Sequence, residues 1–111
     1  MKQYTNSEQT ARLIELGFEK PCSIASVEPI YGMGGISITK AYSIGELMEM
    51  LPQTINVFYD LSIMSSHNGW WVLYGLIGDG DMWSIEHEVY RTELIDALYE
   101  MIIRLKEDKV I

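Results

Sequence analysis

The stretch from Thr92 to Lys109 constrains the fold most, because its apolar residues recur with the period of a helix that has one buried side. At about 100° per residue, Leu94, Ile95, Leu98, Met101, Ile102 and Leu105 gather within about 120° of arc, the width of a core-facing stripe. Glu93, Asp96, Glu100, Arg104 and Glu107 take the other side. Each stripe residue gains about 1.5 to 3 kcal/mol on full burial. A lone helix cannot bury them, so a broad apolar partner is required, and the partner expected is a β-sheet.

The sheet is sought upstream, where the period changes. From Thr54, Ile55, Val57, Tyr59, Leu61 and Ile63 alternate with Asn56, Phe58, Asp60, Ser62 and Met64, which predicts one long strand. Asn68-Gly69 is a strong signal for a tight hairpin, and Trp70 to Ile77 is the expected return. With Asn68 and Gly69 as central turn residues, Leu61, Ile63, Val72, Tyr74 and Leu76 share the face that receives the helices. A three-residue loop reverses the parity of the returning strand and brings Trp71 and Leu73 inward instead. Gly78 to Asp81 reads as a second tight turn, and Met82 to Tyr90 as a third strand in which Trp83, Ile85 and Val89 alternate with Ser84, Glu86 and Glu88. His87 falls in that apolar row.

Before this meander the signals are caps and glycines. Thr5 to Leu16 reads as a first helix, with Thr5 and Glu8 at capping-box spacing and Asn6 or Ser7 as alternative caps. Gly17 suits the left-handed position after it, with Phe18 folding back onto Leu13. Ser23 to Ile30 and Ile36 to Tyr42 have strand character, joined through Gly32, Gly34 and Gly35 as a hairpin. Those glycines lack the spacing of a phosphate-binding loop. Ser43 and Glu46 form a capping box with a Tyr42/Leu47 staple, and Pro52 closes the short helix they begin. The predicted order is helix, hairpin, helix, three-stranded meander, helix. The expected fold class is therefore α+β, a two-layer sandwich with an antiparallel sheet of about five strands.

In a chain of 111 residues that is 48% hydrophobic, these elements make one domain spanning 1–111. The formal charge of -8 disfavours direct binding to nucleic acid. No apolar run approaches the roughly 18 residues of a membrane span and Met1 to Thr10 is polar, so a cytoplasmic protein is expected. Cys22, the sole cysteine, has no partner for an internal disulfide and reads as a small buried hydrophobe.

The polar residues to weigh for chemistry are His67, Asp79, Asp81, Glu86, His87 and Glu88. A base at His87 needs a carboxylate neighbour, but Glu86 and Glu88 point to the opposite face of a regular strand. Asp79 and Asp81 do not match the ligand spacing of a calcium loop and read as a solvated acidic turn. His67 reads as a polar residue at a hairpin tip. No catalytic residue, metal ligand or cofactor is assigned. Adjacent Trp70 and Trp71 must face opposite sides of their strand, and with Phe58, Met64, Leu73 and Ile77 they leave the far face of the sheet too apolar for an ordinary wet surface. The chain itself, a second copy, or a foreign partner or ligand must cover it. Phe58, Met64, Trp70, Trp71 and Leu73 are the candidate interaction surface.

Three fragments, Tyr42-Ser43-Ile44-Gly45-Glu46-Leu47, Asn68-Gly69-Trp70, and Glu93 to Met101, resemble small uncharacterised proteins encoded by gut anaerobic bacteria and their prophages. The resemblance covers most of the chain. It implies a mobile-element context in which small acidic proteins act by binding other proteins, and it carries over no activity and no functional residue. Two readings follow. The first is a non-enzymatic protein-interaction module, self-associating or bound to another protein, with a prophage inhibitor or a mimic of nucleic-acid charge as special cases. The second is a small-molecule binder or small enzyme with a pocket between sheet and helices, near His87 and the tyrosines.

Overall fold

The structure is a computed structural model that describes residues 2–21, 23–30, 35–56, 58–78 and 81–111, with backbone alone for 24–30, 35–39, 77–78 and 81–83. Cys22, Gly32, Gly34, Asp79, and the side chains of Asp81 and Trp83, lie outside what is described.

The organising helix is α3 (Leu94–Glu107). All six residues of its predicted stripe are buried, and Ala97 joins them. They pack on a four-stranded antiparallel sheet made of β3 (Thr54–Ile55), β4 (Tyr59–Ser66), β5 (Gly69–Gly78) and β6 (Asp81–Arg91), in spatial order β3-β4-β5-β6. The shared core holds Val72, Tyr74 and Val89 from the sheet, with Tyr59, Leu61, Ile63 and Trp70 packed at its margin. Tyr74 is fully buried yet satisfied, since its hydroxyl donates to the Pro52 carbonyl at 2.6 Å. Burial pushes the ionisation of this phenol far above its ordinary range.

The α+β class holds, but the five-stranded sheet does not. The first hairpin, β1 (Ile24–Ile30) with β2 (Gly35–Lys40), forms a separate two-stranded sheet. Pro29 brings no N–H to β1, and the register slips between Ala25 and Glu28, so β1 is poorly suited to an inner position. The long strand expected from Thr54 to Met64 is two strands. Asn56 adopts φ 49°, a left-handed conformation that asparagine tolerates well, and the chain reverses so that Ile55 pairs with Tyr59. The inward row Tyr59, Leu61, Ile63 survives because the reversal lies ahead of it.

The hairpin between β4 and β5 is also shifted. Ser66 pairs with Gly69, which leaves His67 and Asn68 as the two-residue loop, with neither at positive φ. The expected pairing of Ile63 with Tyr74 becomes Ile63 with Val72. A two-residue slip preserves parity, so Leu61, Ile63, Val72 and Tyr74 of the predicted set pack toward the helices, while Leu76 is not part of that core. Gly69 is required by proximity instead of by φ: a Cβ there would lie 2.5 Å from the Arg91 carbonyl oxygen and 2.9 Å from the Tyr90 hydroxyl.

The remaining helices close the layer. α1 (Ser7–Glu15) is capped by Asn6, not Thr5, in a reciprocal box: the Gln9 N–H donates to Asn6 Oδ1 at 2.8 Å and the Asn6 N–H to Gln9 Oε1 at 3.0 Å. Thr5 is buried and has other work, accepting from the Tyr42 N–H at 3.0 Å. Since the Thr10 hydroxyl proton goes to the Asn6 carbonyl, Thr5 is the donor in its 2.7 Å bond to Thr10. The end of α1 is the predicted Schellman motif, with Gly17 at φ 97° and the Phe18 N–H donating to the Leu13 carbonyl at 3.2 Å. α2 (Ile44–Met50) starts on the predicted Ser43/Glu46 box, and both staple residues, Tyr42 and Leu47, are buried. It packs on α3.

Asp96 ties the amino-terminal segment to α3, accepting from Gln9 Nε2 at 2.8 Å and Lys2 Nζ at 3.0 Å. Burial raises its pKa, but these bonds and the Lys2 and Arg91 charges outweigh that and hold the carboxyl below the usual value of 3.8. A depressed carboxylate stabilises the fold above its unfolded pKa, and that contribution is lost as pH falls through the folded value. Urea unfolding across acid pH is expected to show stability falling below about pH 4, with a shallower fall in Asp96→Asn. In the same assay Gly69→Ala is expected to cost about 2 kcal/mol, and Asn68→Ala to stay within about 0.5 kcal/mol because no left-handed residue is needed there.

Candidate interaction surface

The register of the sheet divides its side chains between two faces. Facing the helices are Leu61, Ile63, Val72, Tyr74, His87 and Val89. On the outer face, Met64, Trp71 and Tyr90 form one cross-strand row, followed by Ser62, Leu73 and Glu88, then by Asp60, Gly75 and Ile85. The Trp71 and Tyr90 rings meet at a centroid distance of 4.7 Å, tilted by 46°. Such a pair is worth about 0.5 to 1.5 kcal/mol beyond its buried area.

Ile85 belongs to this face because of a bulge. Tyr74 pairs with His87 and Gly75 with Ile85, so Glu86 is the extra residue that reverses the parity of the strand beyond it. The expected inward row of Ile85 and Val89 is corrected accordingly: Val89 is buried against the helices and Ile85 is 45% exposed on the other side. His87 stays inward, mostly buried, with Nδ1 3.8 Å from an Asp108 carboxylate oxygen. Glu88 lies on the opposite face, so the carboxylate that His87 meets is that of Asp108 at the end of α3 and not its strand neighbour. Among the described residues no three His, Cys, Asp or Glu side chains converge on a common point.

Of the five residues named from sequence, Met64 and Trp71 lie in the outer rows, with Met64 45% exposed. Leu73 is in the outer rows too but is buried, and it belongs to no part of the helix-side core. Phe58 stands at the β3–β4 turn, 67% exposed. Trp70 faces the helices and packs at the core margin. Tyr90 and Ile85 complete the surface and were missed. Tyr90 follows from the pattern once the hairpin parity is known, whereas the bulge that turns Ile85 outward leaves no mark in residue type.

The outer face is acidic where it is charged. Asp60 and Glu88 lie within its rows, Glu86 is exposed at the bulge, and none of the described outer-row residues is a lysine or arginine. No described helix packs there: α3 sits on the opposite face, α2 rests on α3, and α1 reaches α3 through Gln9 to Asp96 and Arg12 to Glu107. No described helix is long and apolar enough to cross a membrane.

A cleft of about 510 Å³ lies away from the sheet, lined by Phe18, Glu19, Lys20, Tyr42, Glu46 and Met50 among others. It opens where the end of α1 approaches α2. The Tyr42 hydroxyl donates across it to the Glu19 carbonyl, and burial followed by the Glu46 charge raises that phenol's pKa. The space between sheet and helices, where a pocket was expected under the second reading, is occupied by Val72, Tyr74, Val89, Leu98, Met101 and Ile102, each at 1% exposure or less.

The two adjacent tryptophans separate in their energetics. Trp70→Ala removes packing from the core margin and is expected to cost about 3 kcal/mol in urea unfolding. Trp71→Ala loses the ring pair with Tyr90 and the partial burial of its indole on the outer face, and is expected to cost about 2 kcal/mol.

Against protein-family models, curated proteins and solved structures, the chain has no match in any of the three comparisons.

Proposed function

We propose that this protein is a non-enzymatic interaction module that binds another protein through the outer face of its sheet. The observation that supports this reading is the outer-face set of exposed Met64 and Ile85 with half-buried Trp71 and Tyr90, around a buried Leu73, on a face to which no described helix is applied. Contiguous exposed apolar surface edged by polar residues marks protein contacts, and aromatic residues and methionine are enriched at the centres of such contacts. Asp60, Glu86 and Glu88 set the chemistry of the partner: an apolar patch bordered by lysine or arginine. A cytoplasmic setting and a mobile-element context, the latter implied by the resemblance of the three fragments, belong to the same proposal.

Two copies of this face do not suit one another. Stacked face to face they bring Asp60 and Glu88 of one copy toward carboxylates of the other, with no described outer-row cation to offset them. The occupant of the face is therefore a different protein.

Ile85→Lys combined with Glu88→Lys reverses the surface without entering the core, and its stability is expected to stay within about 0.5 kcal/mol of the parent. In cross-linking pull-downs from the source cell, proteins retained by the parent should be lost with the double variant. Identical retained sets from the two would refute the proposal.

A further inference from the structure

The two edges of the sheet are treated differently. Along β6 the residues bonded to β5 are His87, Val89 and Arg91, so Glu88 and Tyr90 direct their backbone groups outward. Both outward carbonyls are occupied: Arg104 Nη1 donates to the Glu88 oxygen at 2.7 Å and Arg91 Nη1 to the Tyr90 oxygen at 2.6 Å. Glu100 holds both guanidiniums, through ion pairs with Arg91 and Arg104. With the bulge at Glu86, this edge is closed to another strand.

The β4 edge has no such guard. Ser66 and Gly69 flank a two-residue loop and are bonded to one another, so Ser62, Met64 and Ser66 face β5 and the odd residues face outward. The Leu61 N–H donates to the Gln53 carbonyl at 2.9 Å, and there β3 ends. Beyond it, the N–H and C=O groups of Ile63 and Ser65 meet no other strand, and no bond from elsewhere in the described chain reaches them. From Ser62 to Ser66 the edge carries no charge, proline or bulge, devices that normally keep strands apart.

We propose that this edge is a self-association site, where β4 of a second copy pairs antiparallel to join two sheets into one of eight strands. A symmetric register centred on Met64 sets Ile63 opposite Ser65 of the second copy and, by the two-fold axis, Ser65 opposite Ile63. All four outward groups on each copy are then satisfied. Charge selects this occupant. In a chain of formal charge -8, the neutral stretch Ser62 to Ser66 is where two copies can approach without setting carboxylates together. Pairing here leaves the outer face free and extends it, because the Met64–Trp71–Tyr90 row of each copy meets its counterpart at the Met64 residues. The inference stands independently of what binds that face.

Light scattering on the full chain across protein concentration is the test, with amide exchange at Ile63 and Ser65 read in parallel. The expected mass at high concentration is twice the 12.7 kDa of one chain, with both amides becoming protected as the dimer forms. Ser65→Pro removes an N–H that β5 does not use and is expected to be monomeric with unchanged far-ultraviolet circular dichroism. Ser65→Lys, which keeps the N–H and adds an edge charge, is the second variant and is expected to be monomeric as well. A parent chain that stays monomeric at millimolar concentration overturns the proposal. So does a dimer in which the Ile63 and Ser65 amides exchange freely, or one that survives in a folded Ser65 variant. Ile85→Lys with Glu88→Lys should dimerise normally, which separates failure at the edge from failure at the face.

Discussion

Everything in this fold depends on burying the α3 stripe against the helix-facing side of β5 and β6. Ile95, Leu98, Met101, Ile102 and Leu105 are fully enclosed, and each contributes about 1.5 to 3 kcal/mol. That packing dictates which parity each strand must adopt. It explains why a two-residue shift in the β4–β5 register is harmless, where a shift of one residue would have turned the core outward. It also places α3 on one side of the sheet, so that no described helix packs on the far face.

Around that core, small polar devices fix the ends of elements. The Thr5 hydroxyl accepts from the Tyr42 N–H and so joins the start of the chain to the residue that staples α2. Asp96 gathers Gln9 and Lys2 on the first exposed turn of α3. The end of α3 repeats the motif that ends α1, with Lys109 at φ 58° and the Val110 N–H donating to the Leu105 carbonyl at 2.8 Å. Val110 and Ile111 thereby return to the core margin.

Features that depend on local chemistry were legible in the sequence. The Ser43/Glu46 box, the Gly17–Phe18 helix end and the α3 stripe each use residue types with one strong preference at short range. Features that depend on what lies across the sheet were not. Asn56 interrupts a clean alternation without glycine or proline beside it, so the turn before β4 was hidden inside the period. Asn68-Gly69 marked the hairpin but misplaced its centre, since Gly69 serves the close approach of the Arg91 carbonyl and not a positive φ. The Lys109 turn was silent because a lysine carries no signal for the left-handed region. For the candidate surface, adjacency alone required one tryptophan to face away from the helices, but only the register assigned that place to Trp71. The bulge that exposes Ile85 answers to no residue preference.

The distribution of charge and unpaired backbone then orders the surfaces by what they exclude. The β6 edge rejects strands because Arg91 and Arg104, anchored on Glu100, consume its carbonyls. The outer face rejects its own copy because its described charges are all of one sign. The β4 edge rejects neither, since between Ser62 and Ser66 it has neutral side chains and open donors and acceptors in equal number. Under the two proposals, a negative chain that meets both itself and a basic partner gains from such a separation. In that proposed arrangement the neutral edge takes the first contact and the acidic, aromatic face the second, so occupying one does not consume the other. Pairing two copies also offers a partner two patches at a fixed spacing, and a partner with two basic-rimmed sites would then bind the second patch at the effective concentration set by the first.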